Sequence, residues 1–246
     1  MGSLRKRTVV TMWILLACGL VAWASPAQEP APPVVLFFGD SLTAGYGVGK
    51  EHGFPARVQA HADSVGCAAR IVNAGLAGET TAAGLRRVDW ILQKPVDVFL
   101  LELGGNDGLN GVPLAETQRN LQCIIDRVRV KSPGAQLVIV GVRLPPNLGP
   151  DYTDGFQAIF PRLAAANDVA LIPRLLEGVA GDRELMRGDG IHPNEAGHRQ
   201  VAQTVWRHLS PLLCGEPADS TRPAQNLEGR NTGDTPAAEQ PDGNSK

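Results

Sequence analysis

Several classes of function are excluded by what this chain has little of. Acidic residues slightly outnumber basic ones, 25 against 23, so the charge excess that a nucleic-acid binder carries as a basic patch or stripe is missing. Aromatic residues make up only 5% of the sequence, which gives little support for a sugar-stacking platform. The cysteines, Cys18, Cys67, Cys123 and Cys214, fall at no metal-ligand spacing. No G-x-x-x-x-G-K-[ST] string is present to cradle a phosphate, and no internal repeat occurs at solenoid spacing. The long apolar stretch at 9–23 is shorter than the roughly 20 residues a membrane span requires.

That stretch has another reading. It follows the basic run Arg5-Lys6-Arg7 and ends in Ala22-Trp23-Ala24, the pattern of a secretory signal with an A-x-A cleavage site. We expect 1–24 to be a signal peptide and the mature protein to be periplasmic or secreted from a bacterium. A competing reading, lipidation at Cys18 in Leu15-Leu16-Ala17-Cys18, would leave it lipid-anchored at a membrane. Cleavage after Ala24 removes three basic residues and no acidic one, so the product is mildly acidic. Three cysteines then remain, an odd number that cannot form a complete disulfide framework. Cys67 and Cys123 read as small buried apolar residues, with one disulfide left open in an oxidising compartment.

Residues 25–33 read as an Ala-, Pro- and Gln-containing linker. At the other end, 215–246 has almost no large apolar residues to offset the entropy of ordering, so a disordered tail is expected. Between them, 34–214 can bury one substantial core.

Apolar runs bounded by turn residues predict strands at 34–38, 70–73, 96–103, 136–142 and 169–172. The third, which contains Glu102, is the most continuous of these runs and reads as a central strand buried on both faces. Helical spacing predicts helices at 55–65, from Thr80 or Thr81 to Pro95, at 114–128, at 154–167 with a kink or division at Pro161, and at 195–213. Alternation of this kind gives an α/β domain of three layers, α/β/α, with a five-stranded parallel sheet in the flavodoxin-like order 2-1-3-4-5.

In such a sheet the carboxyl ends of the strands face one side, where ligands bind. Four motifs lie there or just before the final helix: Gly39-Asp40-Ser41-Leu42, the glycine-containing loop 74–78, Gly104-Gly105-Asn106-Asp107, and Asp189-Gly190-Ile191-His192-Pro193-Asn194. Each residue type suits a part in acyl transfer. A serine hydroxyl is a weak nucleophile until a base removes its proton. His192 can serve as that base if a carboxylate fixes its tautomer, and Asp189 stands three residues away. The backbone N–H groups of Ser41 and Gly78 and the Asn106 amide offer three oxyanion donors. Taken singly, each has a plainer explanation as a cap, turn or loop glycine. Their joint occurrence in the required order is what points to chemistry. His52, His61, His198 and His208 have no comparable partners and read as exposed or packing residues. Ser41 lacks the G-x-S-x-G elbow of the α/β-hydrolases.

Together these blocks resemble the SGNH, or GDSL-type, hydrolases over 34–213. The strings 101–109 and Arg143-Leu144-Pro145 are similar to its periplasmic thioesterase I, lysophospholipase and arylesterase branch. The resemblance implies a cofactor-free, metal-independent serine hydrolase with Ser41 as nucleophile, His192 as base and Asp189 as its partner. It implies oxyanion donors at Ser41, Gly78 and Asn106, Gly78 being chosen over Gly75 because Glu79-Thr80 follows it. It also implies a mobile acyl-binding loop near 108–113, with Gly108, Leu109 and Asn110 as substrate-binding positions. The expected substrates are small-molecule esters and thioesters, handled by a monomer. Two rival readings are a polysaccharide deacetylase of the same family and a non-catalytic lipid-binding envelope protein. The segment 47–53 looks slightly longer than in the family, a departure at the mouth of the site.

Overall fold

The computed structural model describes residues 31–214. The expected signal, Cys18 and the expected tail lie outside the described residues. A parallel sheet is built from β1 (Val34–Gly39), β2 (Arg70–Asn73), β3 (Val98–Glu102), β4 (Gln136–Val140) and β5 (Ala170–Ile172), in the order β2-β1-β3-β4-β5. All four pairings are parallel, with Leu36 opposite both Val72 and Phe99. This is the predicted order, and the central strand is buried at every residue, Glu102 included.

Strand side chains alternate between faces, and here the alternation divides the core in two. Leu36, Phe38, Phe99, Leu101, Leu137 and Ile139 face one side. There they meet α3 (Thr81–Ile91), α5 (Leu114–Lys131), α6 (Pro150–Gln157) and α7 (Ile159–Asn167). Val35, Phe37, Val98, Leu100, Val138 and Val140 face the other, against α2 (Phe54–Ser64) and α8 (Glu195–Leu213). Strands buried on both faces are why the sequence reads there as apolar runs and not as alternation.

Four differences from the sequence reading have physical causes. β3 and β4 end one and two residues early, because Leu103 and 141–142 have no partner in the strand register and begin the loops that follow. The helix expected at 154–167 is two helices, α6 starting at Pro150 and α7 at Ile159. The division falls at Ala158, which leaves Pro161 in the first turn of α7, where a missing N–H removes no intrahelical bond. Two short helices were not foreseen as separate elements: α1 (Ser41–Ala44) and α4 (Gly105–Leu109). Finally, Cys67 is not a free core thiol. It forms a disulfide with Cys214, joining the turn after α2 to the end of α8, while Cys123 is free and only half-buried.

Candidate active site

The carboxyl end of β1 delivers Ser41. Asp40 caps α1, its Oδ1 accepting from the Leu42 N–H at 3.0 Å, and Ser41 is the first residue of that helix. Its Oγ lies 2.9 Å from His192 Nε2, and His192 Nδ1 lies 2.9 Å from Asp189 Oδ2. Three side chains from two loops 148 positions apart or more would be a coincidence if unconnected; here they form one hydrogen-bonded chain.

The loop that carries Asp189 and His192 is fixed at both ends. The Arg187 N–H donates to the His192 carbonyl at 2.8 Å, and Asn194 caps α8 by accepting from the Ala196 and Gly197 N–H groups. Within it, Asp189 Oδ1 accepts from the N–H groups of Ile191 and His192, both at 2.9 Å, an Asx-type turn. Burial pushes the Asp189 carboxyl up, but these two donors and the His192 ring outweigh it and bring it down to about 2. Asp189 is therefore ionised at neutral pH. An ionised acceptor at Nδ1 selects the tautomer that leaves Nε2 free to accept from Ser41.

Gly78 has a φ of 78°, and a Cβ there would meet open space. Backbone conformation, not crowding, requires the glycine. The N–H groups of Ser41 and Gly78 have no acceptor among the described residues. The third expected donor differs, since Asn106 Nδ2 already donates to Asp40 Oδ2 at 3.1 Å and to the Glu79 carbonyl at 3.0 Å. Asn106 ties the three loops together, with both of its N–H bonds in use. In the expected acyl-binding segment, Gly108 is buried, whereas Leu109 and Asn110 are exposed.

Several residues around the site escaped the sequence reading. Arg87 on α3 clamps the 74–79 loop at both ends, donating to the Ala74 carbonyl at 2.9 Å and from Nε to Glu79 Oε1 at 2.6 Å. It also lies over the Phe38 ring, 4.4 Å from the centroid, and Glu79 beneath it is buried. Tyr46 packs its ring on His192 with centroids 4.6 Å apart, and Arg187 Nη1 holds the Gly47 carbonyl at 2.7 Å. Neither side chain has a sequence signature, because both act across long separations. Asp40 and Glu102 are buried carboxyls side by side. Burial, only partly offset by the Leu42 N–H and by His192, pushes Asp40 up to about 6. For Glu102 a signal did exist, as the one charge in the central strand. Among the described residues no group of three or more His, Cys, Asp or Glu side chains is arranged to hold a metal ion.

The family model described as "GDSL-like Lipase/Acylhydrolase family" matches residues 37–200, a span that holds all four loops. This chain belongs to that family. It is 39% identical over 204 residues to "Esterase TesA" of Pseudomonas aeruginosa, covering 82% of this chain and all of that protein. It is 36% identical over 187 residues to "Thioesterase 1/protease 1/lysophospholipase L1" of Escherichia coli K12, covering 76% of this chain and 88% of that protein. Among solved structures, "Crystal Structure of TesA" aligns with a TM-score of 0.70 at 38% identity, covering 73% of this chain and 99% of the other. The family assignment implied by the motifs is thus shown, and with it the ester-hydrolase class.

Proposed function

We propose that this ester hydrolase cleaves carboxylic esters and acyl thioesters through an acyl-enzyme on Ser41. The observation that carries the reading is the Ser41–His192–Asp189 hydrogen-bond chain beside two backbone N–H groups without acceptors. Ser41 Oγ bonds to the acyl carbonyl carbon while its proton passes to His192 Nε2. The carbonyl oxygen becomes an oxyanion held by the N–H groups of Ser41 and Gly78. Asn106 joins them by turning one N–H from Asp40 or Glu79 toward the oxyanion. Collapse of the intermediate breaks the bond to the leaving alkoxide or thiolate, which takes the proton from His192. Water then attacks the acyl-enzyme by the same route, and Asp189 stays ionised throughout.

Exposed Leu109, at the end of α4, supports an apolar acyl contact on the rim. We propose medium to long acyl chains as the substrates on that ground, together with the names of the relatives. The Cys67–Cys214 disulfide supports export to an oxidising compartment, where such bonds persist.

The test is hydrolysis of p-nitrophenyl esters from acetate to palmitate by the mature protein and by Ser41→Ala, with pre-steady-state kinetics. The expected result is a burst of p-nitrophenol, lost in the variant, and preference for chains longer than acetate. Preference for acetate would favour the deacetylase reading. A folded wild type inactive on every ester would overturn the enzymatic one.

A further inference from the structure

Glu102 ends the central strand and has no solvent exposure. A carboxyl so placed is expected to have a cationic partner, yet no ion pair reaches it among the described residues. Its Oε2 accepts from the Thr43 hydroxyl at 2.7 Å and from the Asp40 N–H at 3.3 Å. Its Oε1 has no hydrogen-bond partner. The contacts are close: a Cβ on Gly39 would fall 2.2 Å from Thr43 Oγ1 and 2.5 Å from Glu102 Oε2. The glycine that opens the Gly-Asp-Ser motif is therefore the space into which the Glu102 and Thr43 side chains pack.

We propose that Glu102 is a positioning residue, a neutral carboxylic acid that locks the Asp40–Thr43 turn, and Ser41 within it, onto the end of the central strand. The proposal goes beyond the acyl-transfer reading by naming what holds the nucleophile in place. The turn needs an acceptor at this point for two donors, the Thr43 hydroxyl and the Asp40 N–H. A charged acceptor would stand beside Asp40 and near the place where the oxyanion forms, opposing both negative charges. A protonated acid keeps Oε2 as a carbonyl oxygen that accepts from both donors without that charge, and carries its proton on Oε1, the oxygen that accepts from no group. Burial, followed by the adjacent Asp40 charge, holds the Glu102 carboxyl well above the usual carboxylate range. Asp40 is the charged group that acts on Glu102. Asp40 in turn faces His192 from the loop before α8 and Glu79 from the loop before α3.

The experiment compares wild type, Glu102→Ala and Glu102→Gln, all full chain, for kcat and KM on one p-nitrophenyl ester. Infrared difference spectra at neutral pH follow the carbonyl stretch of protonated carboxyl groups. Glu102→Ala leaves two donors unpaired and the turn free, so kcat is expected to fall by about 10²-fold, with KM little changed. Glu102→Gln keeps the accepting oxygen and is expected to recover the rate to within about tenfold of wild type. The spectrum of wild type is expected to hold a protonated-carboxyl band that Glu102→Gln lacks. If Glu102→Ala does not fold, the Gln variant and its spectrum still decide the matter. A wild type with no band removed by Glu102→Gln, or a Gln variant no faster than the Ala one, would overturn the proposal. These readouts stand apart from the acyl-enzyme itself, which the Ser41→Ala burst experiment tests separately.

Discussion

Reducing the Cys67–Cys214 disulfide should weaken the fold while leaving the chemistry intact. The bond closes a loop of 147 residues in sequence, nearly the whole described chain. In the chain-entropy model a loop of that size restricts the unfolded state by about 17 cal/mol/K, or about 5 kcal/mol at 25 °C, and measured losses of native bridges run from about 2 to 5 kcal/mol. For a domain near this size each kcal/mol moves the melting midpoint by roughly 2–4 °C, so a drop of about 4–20 °C is expected. The bond ties the turn after α2 to the end of α8, two helices packed on the face of the sheet that Phe37 and Val140 share. None of Ser41, Gly78, Asn106, Asp189 or His192 lies in either segment. The assay is thermal and urea unfolding of the oxidised protein, the dithiothreitol-reduced protein and the Cys67→Ala/Cys214→Ala variant, with esterase kcat measured well below each midpoint. Equal midpoints with and without the bond would refute the loop-entropy argument. A lower kcat in the still-folded reduced protein would refute the independence of bridge and site.

Two other perturbations test the site and its surroundings. Arg87→Met should lower kcat by about 10- to 10²-fold with little change in KM, because the loop carrying Gly78 loses its ties at Ala74 and Glu79 together; stability should fall by about 3–5 kcal/mol for the Glu79 charge left buried, and the double variant with Glu79→Gln should regain stability without regaining kcat. Burial lowers His198 from 6.5 to about 4, and its Nδ1 accepts from the Phe54 N–H. A lowered histidine is neutral in the fold, so its contribution is complete above pH 6.5 and is lost as pH falls toward about 4, by about 3 kcal/mol at 1.36 kcal/mol per unit. Asp40, raised to about 6, works in the opposite direction over part of the same range, since the folded state then binds the extra proton. The measurement is therefore the stability gap between wild type and His198→Phe in urea. It should narrow as pH falls from 6.5 to 4, and a constant gap would show that His198 is not held neutral.

The fold was legible because strand burial on both faces writes itself as runs such as Val34 to Phe38, and because parallel order needs helices between strands. The proposed reacting groups were legible for a related reason: Ser41, Gly78 and Asn106 follow strand ends, where Gly, Asp, Asn and Ser interrupt an apolar run, and Asp189 and His192 stand just before the last helix. What the sequence withheld depends on pairing across distance. Nothing near Cys67 names Cys214 as its partner, and nothing near Glu79 announces Arg87, eight residues along and clamped to Ala74. Asn106 was legible as an amide donor but not as one already engaged by Asp40 and Glu79, since that occupancy comes from how three loops converge. Pro161 signalled a break correctly and misplaced it, because proline fits the first turn of a helix as readily as it ends one.

The acidic groups around Ser41 show why residue type alone does not give chemical state. Asp189, partly exposed, accepts from two backbone N–H groups and the His192 ring, and so remains an anion far below neutral pH. Glu79, buried, has the Arg87 guanidinium against it. Asp40, buried without a cation in contact, keeps its charge near neutral pH through the Leu42 N–H and the nearby His192. Glu102, one step deeper, has Asp40 as its charged neighbour and is driven toward the neutral acid. The order follows depth and donors: charge survives at Asp189, where the donors outweigh burial, and is expelled at Glu102, where burial and the adjacent Asp40 charge outweigh its two donors. A negative charge then remains beneath the Asp40–Thr43 turn, on Asp40, where it accepts from the Asn106 amide and, in the proposed mechanism, would favour the positive charge on His192 as Ser41 gives up its proton.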